Sequence, residues 1–137
     1  TGSFGAVSLG GEVIGDLNIT GKMTAAVKSF VINNPTGGKL EYGALEGPSH
    51  DVFVKGKLEG TDVIELPDEW NWLVDEDTIT VQLTPRGKYQ TLYVKDIQDN
   101  KIYIGIEGLL KTKKSINCYY LVHAERKDIE QIKNGVT

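Results

Sequence analysis

Cysteine is nearly missing from this chain: its 137 residues hold one, Cys118. No intrachain disulfide can form, so stability has to come from packing or from subunit association. Histidine is also scarce, with only His50 and His123. A closed zinc site wants four ligands, and two histidines without a matching acid spacing do not supply them. Basic charge is outnumbered, 15 Lys and Arg against 19 Asp and Glu, for a net charge of −4. Nucleic acid is not expected as a partner, because phosphate binding needs a basic surface. The one basic cluster, Lys111, Lys113 and Lys114, reads as a solvated loop. No apolar run approaches the roughly 20 residues that span a bilayer, so membrane insertion is not expected. No leader is recognisable, and Thr1-Gly2-Ser3 looks like the start of a fragment of something longer.

What is present is ordinary for a globular chain: 39% apolar and 25% charged residues. The length suits one domain with a real core and a short appendage. The appendage reads as residues 1–27, where glycines stand at 2, 5, 10, 11, 15 and 21. Between them lie brief apolar alternations: Val7 and Leu9, Leu17 and Ile19, then Met23, Ala25 and Val27. Strands so short cannot bury enough surface to offset the backbone entropy they lose. Three readings stay open: a stem in which three chains share one core, docking against the same chain, or a linker.

The head begins with a strand at 28–32, KSFVI, followed by a Pro/Gly loop at 33–38. Residues 40–60, LEYGALEGPSHDVFVKGKLEG, read as a hairpin turned at Glu46-Gly47-Pro48-Ser49-His50. The period of two in both flanks is the mark of half-buried strands. A strand at 62–66 ends at Pro67. EWNWLV at 69–74 suits a helical turn capped by Asp68, with Trp70, Leu73 and Val74 on one face. Further strands are expected at 78–83, at 89–97 and at 101–106, the last two joined by an Asp99-Asn100 turn. INCYYLVHA at 116–124 carries large apolar groups on both faces. It is therefore a central strand or one buried between subunits. Residues 128–137 form a polar tail.

Candidate chemistry is thin. Cys118 and His123 are five positions apart in one strand, an odd separation that sends them to opposite faces. Cys118 reads as a small buried hydrophobe. One histidine per chain could meet its copies on a trimer axis, but no metal or other cofactor is expected. The acids Asp62, Glu65, Asp68, Glu69, Asp75, Glu76 and Asp77 lack the glycine turn of a calcium loop and read as a solvated face. No carboxylate pair for glycosidase chemistry can be chosen from them. Among the aromatics, Trp70 should pack under its own turn and Tyr93 should fill the core. Trp72 alternates with the packed side of 69–74; with His50 it is a candidate for contact with another surface.

Residues 27–127 resemble a domain near the C-terminal end of tail fibres and other virion structural proteins of tailed bacteriophages. The resemblance is carried by KSFVI at 28–32, LEYGALEGPSHDVFVKG at 40–56, VIELPDEW at 63–70, TVQLTPRG at 80–87, LYV at 92–94 and INCYYLVHAERKD at 116–128. GDLNITGKM at 15–23 is similar to the spacer that precedes such domains. The resemblance implies a non-enzymatic fibre or appendage subunit located in the virion, all-β and homotrimeric, at or near a fibre tip. Its partners would be other fibre proteins and a host-surface glycan or protein. It defines no catalytic residues.

The reading that results is an all-β chain: a Gly-rich stem at 1–27, an antiparallel sandwich or barrel-like head at 28–127, and a tail. Tyr119 and Leu121 are the expected trimer contacts. Two alternatives remain: a purely structural virion decoration or filament, and a glycan-degrading or self-cleaving fibre domain.

Overall fold

The computed structural model describes residue 5 and residues 8–132. Residues 1–4, 6 and 7 of the expected stem and 133–137 of the expected tail lie outside the described residues. The head is all-β, eight strands with one α-helical turn and two 3₁₀ turns. Six strands form two three-stranded antiparallel sheets, and two form a separate hairpin.

The first sheet is organised around β8 (Asn117–Glu125), with β3 (Asp51–Glu59) and β5 (Thr80–Pro85) on either side. Its alternation explains the placement. Cys118, Val122 and Ala124 are fully buried on one face, with Tyr120 half-buried beside them. β3 buries Val52 and Leu58 on the same face, and β5 adds Val81 and Leu83. Tyr120 pairs with Gly56 across the ladder. A Cβ on Gly56 would stand 2.6 Å from the Tyr120 hydroxyl, so the glycine leaves the space the ring occupies.

The second sheet places β7 (Lys101–Glu107) between β4 (Val63–Glu65) and β6 (Thr91–Gln98). Ile102 and Ile104 of β7 and Ile64 of β4 join the same core as Val122 and Cys118. The two sheets therefore pack face to face as a sandwich. Each fully buried Ile or Leu contributes roughly 1.5–3 kcal/mol by leaving water. Asp99 and Asn100 have φ of 53° and 60°, the left-handed pair that a two-residue hairpin turn demands. A register shift between Val94 and Asp96 puts a bulge at Lys95.

One end of the sandwich is closed by α1 (Trp70–Leu73). Trp70 is 1% exposed, and Leu73 and Val74 are buried with it. Asp68 does not cap this turn: Glu69 holds the cap position, with no side-chain cap bond. A 3₁₀ turn, Glu76–Thr78, follows, so β5 starts two residues later than the expected 78.

The expected hairpin at 40–60 does not form. β2 (Lys39–Gly43) pairs instead with β1 (Ser29–Asn33), and β3 pairs with β8 over its whole length. Local alternation identified both strands, but pairing was decided by β8, whose inner face matches that of β3. Residues 44–50 are a connection between two sheets. Residues 126–132 are pinned rather than frayed: Arg126 bridges Val74, and Gln131 bonds the His50 backbone in both directions. Residues 8–28 contain neither strand nor helix, and every one is exposed.

Candidate functional site

The strands run so that each sheet has two distinct ends. At one end lie the start of β3, α1, the Asp99-Asn100 turn and the end of β8. At the other lie the turns at 60–62 and 86–90 and the loop at 108–116. Between them, the outer face of the β3–β8–β5 sheet is open.

That face carries Phe53, Lys55 and Lys57 from β3, Tyr119, Leu121 and His123 from β8, and Thr80, Gln82 and Thr84 from β5. The register sets their neighbours: Tyr119 stands opposite Lys57 and Thr84, and Leu121 opposite Lys55 and Gln82. Together with Gly56 and Tyr120 these residues line a groove of about 550 Å³. Tyr119 is half exposed. The Arg86 guanidinium sits 5.0 Å from its ring centroid and the Lys57 Nζ 6.0 Å. These are cation–π distances, so cations stiffen the aromatic without covering it. Phe53 and His123 approach at 5.9 Å between centroids. The groove therefore offers an apolar floor, cationic flanks from Lys55, Lys57 and Arg86, and neutral hydrogen-bonding groups in Gln82 and Thr84.

Of the expected contact residues, Tyr119 and Leu121 share this face. Trp72 and His50 do not. Trp72 is half-buried against the core. His50 is half-buried, its carbonyl accepting from Arg126 N–H and from Gln131 Nε2. Both lie toward the end closed by α1. Tyr93 is not in the core. It is about half exposed on the outer side of the other sheet, over Gly105, where a Cβ would come 2.3 Å from its ring. The bulge at Lys95 lies two residues further along the strand. Cys118 is fully buried and His123 lies on the opposite face, as their odd spacing requires. Among the described residues, no group of three or more His, Cys, Asp and Glu is arranged to hold a metal. Arg86 escaped the sequence reading because its partner ring lies 33 residues away on another strand.

Two groups are electrostatically distinctive. Burial pushes the Cys118 thiol up. Burial, and then the hydrogen bond to Glu69, push the Tyr42 phenol well above its ordinary value. The Tyr42 hydroxyl donates to Glu69 Oε1 at 2.8 Å and accepts from Trp70 Nε1 at 3.1 Å. Both groups are held neutral in the fold and ionise more easily in the unfolded chain. Their contribution to stability is whole below the unfolded pKa values, about 8.5 and 10, and is lost as pH rises beyond them. Unfolding free energy should therefore be flat across neutral pH and decline in alkali. In a urea titration against pH, Cys118→Ala should remove the earlier part of that decline and Tyr42→Phe the later part. An unchanged profile in both variants would show that neither group is held neutral.

The fold and this face define an all-β sandwich with an open, cation-flanked aromatic groove. Comparison with protein-family models, with curated proteins and with solved structures gives no match for this chain.

Proposed function

We propose that this chain is a structural and adhesive subunit of a tailed-phage fibre or virion appendage, acting as a homotrimer and carrying out no reaction. One observation carries the reading: the large apolar side chains of residues 9–27 are left largely exposed to solvent. Leu9, Val13, Ile14, Leu17, Ile19, Met23 and Val27 are all 47% exposed or more. Such a repetitive set is hidden from water when identical copies pack around one axis. The Tyr119 and Leu121 face is a second apolar surface available to the same association. In this reading the work of the protein is geometric. Three heads held on one axis turn weak single contacts into avidity. The resemblance of residues 27–127 to phage fibre domains supplies the virion setting, and host-surface glycans or proteins are the contacts it implies.

Native mass by light scattering tests this on residues 1–137 and on a chain that begins at Lys28. Three-fold mass for the full chain is the expected result. If the shorter chain is also three-fold, the Tyr119 face holds the trimer; if it is monomeric, the stem does. A monomer in both cases would remove the physical basis of the proposal and favour a monomeric decoration of the virion.

A further inference from the structure

The end of the sandwich farthest from α1 combines three exposed apolar side chains with a set of cations. Leu109 is 91% exposed and Leu110 90%, and Tyr89 is fully exposed. Thr91 pairs with Glu107. Tyr89 lies two residues before that pair and Leu109 two residues after it, so all three project from one pole. Exposed leucines scattered singly need no explanation, but two adjacent ones at the same pole as an exposed tyrosine do.

The loop that presents them is built rather than slack. Gly108 has a φ of 139° and Leu110 a φ of 61°, a left-handed backbone that a leucine adopts only when its surroundings impose it. Lys111 N–H donates to the Gly108 carbonyl at 3.2 Å. A 3₁₀ turn, Lys113–Ser115, follows, with Thr112 N–H donating to Ser115 Oγ at 3.3 Å. Ile116, 1% exposed, anchors the far side of the loop in the core. Local strain is thus maintained at the point where the two leucines face solvent.

Charge at this pole is of the opposite sign to that of the whole molecule. Arg86 and Lys88 come from the 86–90 turn; Lys111, Lys113 and Lys114 come from the loop itself. Glu59, Asp62 and Glu107 stand at the strand ends and in the 60–62 turn. Glu65, Asp68, Glu69, Asp75, Glu76 and Asp77 are toward the other pole. The chain also starts β3 and leaves β8 at that other pole. The 60–62, 86–90 and 108–116 connections are all that this one contains, so nothing within the sandwich covers it.

We propose that this pole is a peripheral membrane-contact site for a bilayer containing anionic phospholipid. Leu109 and Leu110 enter the boundary between headgroups and acyl chains, Tyr89 lies at headgroup level, and the lysines meet lipid phosphates. Apolar groups ringed by cations suit this surface, since apolar burial and attraction to anionic headgroups act together. The contact is two side chains deep and uses no spanning segment; no helix among the described residues is long and apolar enough to cross a membrane. The proposal stands on this pole alone and does not require the trimer or the virion setting.

Co-sedimentation of the full chain with vesicles of phosphatidylcholine, and of phosphatidylcholine with about one-third phosphatidylglycerol, tests it. Binding to the anionic vesicles is expected, with at least tenfold less to the neutral ones. Leu109→Ser with Leu110→Ser should weaken binding tenfold or more while the thermal midpoint holds, because neither side chain is packed. Each of Lys111→Gln, Lys113→Gln and Lys114→Gln should cost about fivefold, and added salt should weaken the contact. No binding to either vesicle overturns the proposal. So does binding that survives the double leucine change, which would be charge attraction alone. So does a vesicle-free mass that rises with concentration and falls back in the leucine variant, since the pole would then dock a second copy.

Discussion

Replacing Trp70 with alanine is expected to lower the unfolding free energy by about 3–5 kcal/mol, the range for removing a large buried aromatic. Three losses coincide at this position. The ring is 1% exposed and sits among the residues that close one end of the sandwich, so a cavity opens where the two sheets meet α1. Its Nε1 donates to the Tyr42 hydroxyl, which itself donates to Glu69. Removing the indole takes one partner from a half-buried polar chain, and Tyr42 ties the β1–β2 hairpin to the head. A domain of this size has about 5–15 kcal/mol in all, so the variant should stand near the edge of folding at 37 °C. Urea unfolding gives the number, read as a lower midpoint at unchanged slope. A loss below about 1 kcal/mol would mean that α1 is not part of the same cooperative core.

Asp128→Ala should be the next most damaging change, at about 3 kcal/mol. Arg126 is 8% exposed, the only buried charged residue among those described. Its Nε and Nη2 donate to the two carboxylate oxygens of Asp128 at 3.0 and 2.7 Å, a bidentate pair. The guanidinium also stacks 3.9 Å from the Phe30 ring centroid, and Phe30 in turn lies 5.7 Å from Tyr42. Without Asp128 the charge stays buried and unpaired. The double change Arg126→Met with Asp128→Ala should therefore cost less than Asp128→Ala alone, since no uncompensated charge remains. Hydrogen exchange supplies the second readout. Amides of β1 and β2 should exchange faster in Asp128→Ala, because the guanidinium stacked on Phe30 is no longer held in place by the carboxylate. Equal losses in the single and double variants would show that the pair contributes packing and not charge compensation.

Much of the head was legible along the chain because a strand with one face in water writes its period of two directly into the sequence. The strand at 116–124 and the opposed faces of Cys118 and His123 follow from that periodicity, while the Asp99-Asn100 turn follows from turn chemistry and the buried side of EWNWLV from helical spacing. Pairing was not legible in the same way. The segments at 40–43 and 51–59 alternate equally well whether they face each other or different partners. What separated them was the long inner face of β8, which takes β3 along its whole length and leaves β2 to β1. Tyr93 was misplaced for a related reason. Its face depends on the register of β6, which slips at Lys95, and on Gly105 of the neighbouring strand, whose missing side chain makes room for the ring.

The sequence by itself determined the all-β class, the lack of a disulfide and the acidic balance, because composition and local period depend on no contact made elsewhere. Only the tertiary structure decided that Arg86 flanks Tyr119, that Arg126 is buried on Phe30, and that Tyr89 and Leu109 share a pole. Each of these joins residues far apart in the chain, and such proximity is set by which strands pair and in what register, a choice made by the whole core at once.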